Sequence, residues 1–274
     1  MSDNDTAVMQ VFDDKDFLLR HKTEAHNMFD LIDFILGRHD HYAFALDIGG
    51  GYGDHLPFLM DRIKNVIAID IINYLDDEQF NPRERASRSE AHGGHLDLSK
   101  VDFHYCDAQR LHYRDSLFDL VFSINAFEHI PNPLLALSEA VRVARKGAPI
   151  YLQFDPIWNS PWGHHLPHLN FEPWAHLLTS AEEFCALVLE LGGTQTDIHI
   201  FETAMNRKPF SYYKRLFLED YKDQFLTSSF ASWSTDPHDE PATRHPNFER
   251  CRAIGYGVEE LVTRGVQFVG VKAW

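Results

Sequence analysis

Three cysteines, Cys106, Cys185 and Cys251, are scattered over 274 residues. An odd number at such spacings offers neither a disulfide framework nor a Cys-x-x-Cys metal knuckle, and a reducing, cytoplasmic setting is the expectation. No run of about 18 apolar residues occurs, so no membrane-spanning helix is expected. The opening stretch, MSDNDTAVMQVFDDKD, lacks both the basic and the apolar part of a secretory signal. Basic charge is scarce: 25 Lys and Arg stand against 41 Asp and Glu, for a formal net charge of −16. Nucleic-acid binding draws most of its affinity from Lys and Arg on phosphates, so RNA and DNA are poor candidate partners. The loose basic clusters, at Arg83, Arg85 and Arg88, at Arg142, Arg145 and Lys146, and at Arg207, Lys208, Lys214 and Arg215, read as solvated surface. Internal repeats and low-complexity tracts are missing too. What is present is a hydrophobic fraction of 44%, enough for a large core, and an unusual 17 histidines.

From about Asp13 to Arg38 the chain has helical periodicity, with Phe17, His21, Met28, Ile32 and Ile35 on one face and Gly37 ending the pattern. At Tyr42 the grammar changes. Short β-rich runs at Phe44–Ile48, Val66–Ile69, Val101–Tyr105, Leu120–Ile124 and Ile150–Phe154 alternate with candidate helices near Asp54–Arg62, Ile72–Phe80 and Pro133–Ala144. Buried strands separated by helices indicate a parallel sheet covered on both faces. Beyond it we expect a helix over Ser180–Leu191, a strand near Thr196–Phe201, helices over at least Phe210–Phe225, a long loop over Ser228–Asn247 and a last strand at Val266–Val271.

The strongest local signal is LDIGGGYGDHLPFL, residues 46–59, where a strand runs into Asp47-x-Gly49-x-Gly51-x-Gly53. Glycines permit a tight turn and close approach of a ligand to the backbone. A following helix N-terminus would suit an anionic group. The dinucleotide fingerprint Gly-x-Gly-x-x-Gly fails here: counted from Gly49 its last position is Asp54, and from Gly51 it is Leu56.

An acid ahead of glycines at every second position resembles motif I of the class I S-adenosylmethionine-dependent methyltransferases, of the small-molecule, type 11-like kind. Three more segments follow in the matching order: VIAID ending at Asp70, FHYCDAQRL containing Asp107, and DSLFDLVFSINAFEHIPNP with its Glu128-His129 pair. The resemblance covers roughly residues 42–155. It implies S-adenosylmethionine as cofactor and S-adenosylhomocysteine as product, held by Asp47, Gly49, Gly51, Gly53, Asp70, Ile71, Asp107, Ala108 and Asn125. Asp70 would bond the ribose hydroxyls, as a carboxylate's two oxygens can. Asp107 would lie by the adenine amine, although turn capping is its other reading. Asp47 would serve the methionine amino group or tie the glycine loop. For His129 a catalytic and a structural role stand level. The fold implied is a Rossmann-like, doubly wound, seven-stranded, mostly parallel sheet with the last strand antiparallel. A helical extension at 1–41 and insertions at 156–178 and 203–260 would form a lid on the domain at 42–274.

The stretch DPIWNSPWGHHLPHLNFEPWAHLL, residues 155–178, follows the fifth strand and should overhang the reacting methyl group. Methyl transfer needs an aligned acceptor and a proton acceptor, and histidine is the natural base near neutral pH. His164 and His165 are the first candidates and His168 the next. Trp158 and Trp162 would wall an acceptor pocket together with Tyr213. A His-rich loop over 164–176 could instead hold a transition metal, though carboxylate-rich Mg²⁺ sites look different and a metal is not the favoured reading. Packing is the plain alternative for each histidine. Tyr213, Phe217, Tyr221 and Phe225, four apart, line one helical face that suits the core, with a homodimer surface as the other option. The expected partner is a small-molecule acceptor with an O or N nucleophile, with no nucleic acid and no membrane.

Overall fold

The computed structural model describes residues 15–37, 41–74, 87, 89, 90, 92–234 and 242–274. Helix α1, Lys15–Leu36, precedes β1 (Ala45–Ile48), β2 (Val66–Asp70), β3 (Val101–Tyr105) and β4 (Leu120–Ile124). Helix α2 (Pro133–Val143) leads to β5 (Pro149–Phe154). Then come α3 (Ala175–Leu178), α4 (Ala181–Glu190), α5 (Gln195–Thr203), α6 (Phe210–Arg215), β6 (Phe225–Trp233), α7 (Pro246–Ala253), α8 (Val258–Val262) and β7 (Gly265–Lys272). Among the described residues the strands form one seven-stranded sheet in the order β3-β2-β1-β4-β5-β7-β6. β1 to β5 run parallel, and β7 runs antiparallel to both its neighbours.

The central strands form because their sequences are largely apolar, with one buried polar residue in each: Asp47, Ser123 and Gln153. ALDI, LVFSI and PIYLQF are buried at every position, as strands covered on both faces must be. On one face α2 sends Ala136, Leu137, Ala140 and Val141 onto the sheet. On the other, α1 buries Ala25, Met28, Phe29 and Ile32 against β1, β2 and β4. Arg62 fixes α1 laterally, its guanidinium donating to both oxygens of Asp33 at 2.9 and 2.7 Å and lying over the Phe29 ring. No described helix is long and apolar enough to cross a membrane.

Four expectations need correction. Asp54–Arg62 is not an α-helix: it holds one 3-10 turn, Leu56–Phe58. Pro57 carries no N–H, and the neighbouring bonds, Leu56 to Gly53, Phe58 to His55 and Leu59 to Leu56, are of the i to i−3 kind. The stretch expected as a strand at Thr196–Phe201 is α5. Its start is a capping box in which Thr194 and Asp197 satisfy each other's backbone N–H, and this local chemistry outweighs the β-branched composition. The sixth strand is β6 instead, inside segments expected to be helix and loop. It is Ser-rich and mostly solvent-facing, because it lies at the sheet's edge. The stripe from Tyr213 also breaks helical form after Arg215, where a π turn covers Leu216–Asp220. Most of the expected helix at Ile72–Phe80, the Arg83, Arg85 and Arg88 cluster and part of the long loop lie outside the described residues.

The stripe is core. Phe217 is fully buried and stacks on Phe268 of β7 with ring centroids 4.5 Å apart, and Tyr213 is buried against Phe154. Phe217→Ala is therefore expected to reduce the unfolding free energy by about 3–5 kcal/mol in a denaturant melt. A change under about 1 kcal/mol would mean that the site collapses around the deletion.

Candidate functional site

Strand order reverses between β1 and β4: the chain leaves β1 toward β2 on one side and leaves β4 toward β5 on the other. The two loops diverge at the carboxyl ends of their strands, and open α/β sheets bind ligands in the crevice so formed. Here the crevice is a cleft of about 340 Å³. Its wall includes Gly49 and Gly51 after β1, Asp70 and Ile71 after β2, Asp107 and Ala108 after β3, and Asn125 and His129 after β4.

The glycine loop has a steric cause. Gly49 has φ +73°, and a Cβ there would collide with that of Ala126 on the opposite loop. A side chain at Gly50 would meet the Asp47 carboxylate and Ala68. Asp47 thus lies beneath the loop rather than on the cleft surface, and Gly53 faces Leu56 and Phe103. Burial pushes the Asp47 carboxyl up to about 7, with Asp70 adding to the rise and His55 opposing it. Asp70 accepts from the N–H groups of Gly51 (3.2 Å) and Ile72 (2.9 Å), one on each oxygen. Burial still outweighs those bonds and raises its carboxyl above the usual range. Asp107 accepts from the backbone and side-chain amides of Gln109 at 2.8 and 2.9 Å, so it does serve a turn, with one face toward the cleft. Ile71 and Ile72 are each 56% exposed at the cleft, an apolar pair that a flat ring would cover.

The four candidate histidines separate by environment. His129 reaches the cleft. Its Nδ1–H donates to the carbonyl of Ala204 at 2.8 Å, which leaves Nε2 with its lone pair, 3.7 Å from Glu128. Burial lowers its basicity below the ordinary histidine value. His165 packs edge-to-face on that ring at 4.8 Å and is pushed down to about 4 by burial. His164 is fully buried among Phe171, Phe184 and His176. Its Nδ1 accepts from the N–H of Leu166 at 3.1 Å, so the proton sits on Nε2. His176 is its complement: Nε2–H donates to Trp158 O at 2.8 Å and Nδ1 keeps the lone pair. His168 lies out on the surface, 2.9 Å from Asp197. The 164–176 loop is thus largely a folded support, and among the described residues it brings together no three metal-ligating side chains.

The expected acceptor wall is placed elsewhere as well. Trp158 packs on Phe201 and His176 with the Arg207 guanidinium over its ring at 4.6 Å. Trp162 leans on the cluster of Trp174, Phe248 and Leu261. Tyr213 is buried and donates to Asn206 Oδ1 at 3.0 Å. None of the three is among the residues lining the described cleft.

Two residues, Glu24 and Asn206, escaped sequence reasoning, and a third, Glu128, was legible only through its pairing with His129. Glu128 is 1% exposed, its carboxylate oxygens find no partner on another residue, and burial raises it well above the usual carboxylate range. Its one signal was its place beside His129. Glu24 of α1 accepts from Asn125 Nδ2 at 3.0 Å and pairs with His55 at 2.8 Å. Burial raises its carboxyl, but these bonds prevail and hold it below the ordinary value. Asn206 clamps the loop after β4. Its backbone N–H donates to Glu128 O, and its side-chain amide donates to the carbonyls of Phe127 and Ile130. Glu24 and Asn206 act across about a hundred and about seventy-five residues, and no local pattern marks either.

A family model described as methyltransferase domain matches residues 46–152. The sarcosine/dimethylglycine N-methyltransferase of Halorhodospira halochloris is 33% identical over 116 residues, 42% of this chain and 38% of that protein. The 27-O-demethylrifamycin SV methyltransferase of Amycolatopsis mediterranei is 28% identical over 118 residues, 43% of this chain and 40% of that protein. The chain thus spans about two fifths of the length of these curated relatives. Among solved structures, the plantazolicin methyltransferase BpumL in complex with SAH superposes with a TM-score of 0.52 at 11% identity, covering 100% of this chain and 91% of that one. The Haemonchus contortus phosphoethanolamine N-methyltransferase 2 in complex with S-adenosyl-L-methionine gives 0.51 at 15% identity, covering 90% and 53%. At these identities the structural likeness is one of fold. Together with the sheet order and the glycine loop, the match makes residues 46–152 a methyltransferase domain of the class I S-adenosylmethionine-dependent family.

Proposed function

We propose that the chain transfers the methyl group of S-adenosylmethionine to an oxygen or nitrogen of a small molecule, with His129 taking the acceptor's proton. The observation that carries this reading is the cleft at the reversal of strand order, which gathers Gly49, Gly51, Asp70, Asp107 and Asn125 beside a neutral histidine. The residues present fit the cofactor. Exposed Ile71 and Ile72 offer an apolar bed for adenine, and the Asp70 oxygens retain lone pairs for the ribose hydroxyls. Asp47 lies under the loop where it can favour the methionine ammonium.

Bound S-adenosylmethionine supplies an electrophilic methyl on a sulfonium; the acceptor's lone pair forms the new bond while the C–S pair returns to sulfur. The chain's task is alignment and proton removal. His129 suits the second: the Ala204 carbonyl fixes its tautomer, so Nε2 is the free base. Glu128 suits the first, because its buried carboxyl lacks a hydrogen-bond partner and gains by accepting one from the N–H or O–H of a neutral acceptor. Both a nitrogen and an oxygen acceptor satisfy this, and the relatives include a sarcosine/dimethylglycine N-methyltransferase and a 27-O-demethylrifamycin SV methyltransferase. In this reading α1 and the segments 156–178 and 203–260 cover the acceptor side. Among the described residues no Lys or Arg lines the cleft, and with the acidic composition this supports a small molecule over nucleic acid.

Three outcomes are expected. Asp70→Ala weakens S-adenosylhomocysteine binding by about 1–3 kcal/mol, roughly 5- to 150-fold, in isothermal titration; wild-type affinity would remove Asp70 from the cofactor site. His129→Ala lowers kcat on methyl transfer roughly 10²- to 10⁴-fold with a much smaller change in cofactor affinity, while an unchanged kcat would move the base elsewhere. The third concerns pH. Asp47 holds its proton up to about 7 in the empty protein, and a cofactor ammonium favours the carboxylate, so binding releases a proton. S-adenosylhomocysteine affinity should therefore rise between about pH 5.5 and 7, and Asp47→Asn should flatten the rise. An equal rise in Asp47→Asn would assign it to another group.

A further inference from the structure

Beside the cofactor cleft, outside the residues that line it, three side chains meet at the seam between α1 and the glycine loop. His21 and Glu24 stand three residues apart on α1 and so share one face. His55 follows the loop directly after Asp54. One ligand atom from each lies within 4.8 Å of the others. The His21 and His55 rings are 4.4 Å apart between centroids, and His55 Nε2 is 2.8 Å from Glu24 Oε2.

We propose that His21, Glu24 and His55 form a binding site for one divalent transition-metal ion, Zn²⁺ being the best match, which fastens α1 to the glycine loop. Two imidazoles and a carboxylate are a donor set for Zn²⁺ and its neighbours, whereas Mg²⁺ and Ca²⁺ require mainly oxygen ligands. The surrounding bonds are those that orient metal ligands. His21 Nδ1–H donates to the carbonyl of Phe17 at 2.8 Å, so the lone pair is on Nε2. Glu24 Oε1 accepts from Asn125 Nδ2 at 3.0 Å, which leaves Oε2 facing the histidines. Zn–N and Zn–O bonds of about 2.0–2.2 Å would bring tetrahedral ligand atoms to roughly 3.4 Å apart. The present spacing, within 4.8 Å, is slightly wider than that. The ion replaces the proton shared by His55 and Glu24, which moves to His55 Nδ1 or to solvent.

The site differs from the His-rich loop at 164–176 and does not rest on methyl transfer, since its readout is the metal itself. It does touch the cofactor cleft, because Asn125 is both the partner of Glu24 and part of the cleft wall.

The test is titration of the full chain, stripped with a chelator, with zinc chloride against a chromophoric competitor. Co²⁺ absorption spectra report the ligand field. One Zn²⁺ per chain is expected. His21→Ala and His55→Ala should each weaken it at least 10-fold, while His26→Ala, an exposed histidine on the same helix, should leave it unchanged. Zinc should raise the melting temperature of the wild type and not of His55→Ala. Should the alanine variants fail to fold, Glu24→Gln keeps the side chain's shape and must still lose affinity. Binding equal to wild type in the folded His21, His55 or Glu24 variants, or loss equally large in His26→Ala, would mean adventitious zinc on a histidine-rich surface and would overturn the proposal.

Discussion

Where β1 and β4 lie side by side, the loops that follow them must part, and they can do so only if their first residues pass within van der Waals contact. Gly49 and Ala126 meet at that point, with no room for a larger residue at 49. Everything at the carboxyl edge of the sheet depends on this close passage. It bends the chain after β1 so that Gly51 can reach Asp70, and it sends the chain after β4 outward so that Asn125 and His129 line the facing wall. A bulkier residue would push the two loops apart and spoil the cleft on both sides at once. The 3-10 turn after the loop carries little helix dipole, so the cleft offers carboxylates and apolar side chains rather than a helix end.

Five of the seven strands were legible because a strand covered on both faces is written as a short, largely apolar run; β3, at the other edge of the sheet, was legible from the β-branched and aromatic alternation of VDFHY. β6 was not legible for the complementary reason. At the sheet's edge it faces solvent, and FLTSSFASW carries no run that separates it from a loop. The α5 error has a different origin. TDIHIF is β-branched and aromatic, yet two short polar side chains at Thr194 and Asp197 close a capping box that fixes the helix start. A bond between neighbours decided what composition could not.

The two ends of the site differed in the same way. The cofactor end could be read, because each of its residues sits at the end of a strand and strand ends are visible in sequence. The partners that orient Asn125 and His129 could not, because they are brought together by chain topology. Glu24 arrives from α1, Glu128 from the loop after β4 and Ala204 from beyond α5. The histidines of 164–176 carry a related lesson. They attract attention by number, but His164 and His176 have complementary tautomers and packed rings, which is what a folded loop asks of buried imidazoles. His129 is more exposed than His164 and His176, and its Nε2 keeps its lone pair.

The clamp at Ala204 and Asn206 has a consequence for how the molecule assembles. The glycine loop and the first four strands are complete within the first half of the chain. The peptide from Phe127 to Ile130 is held by bonds that span about seventy-five residues. Contacts of that sequence separation form late, after the loop between them has closed against its own entropy. The ring of His129 takes its orientation only when the segment after α5 folds back onto it, so one wall of the cleft is finished by a part of the chain remote from all the strands that frame it.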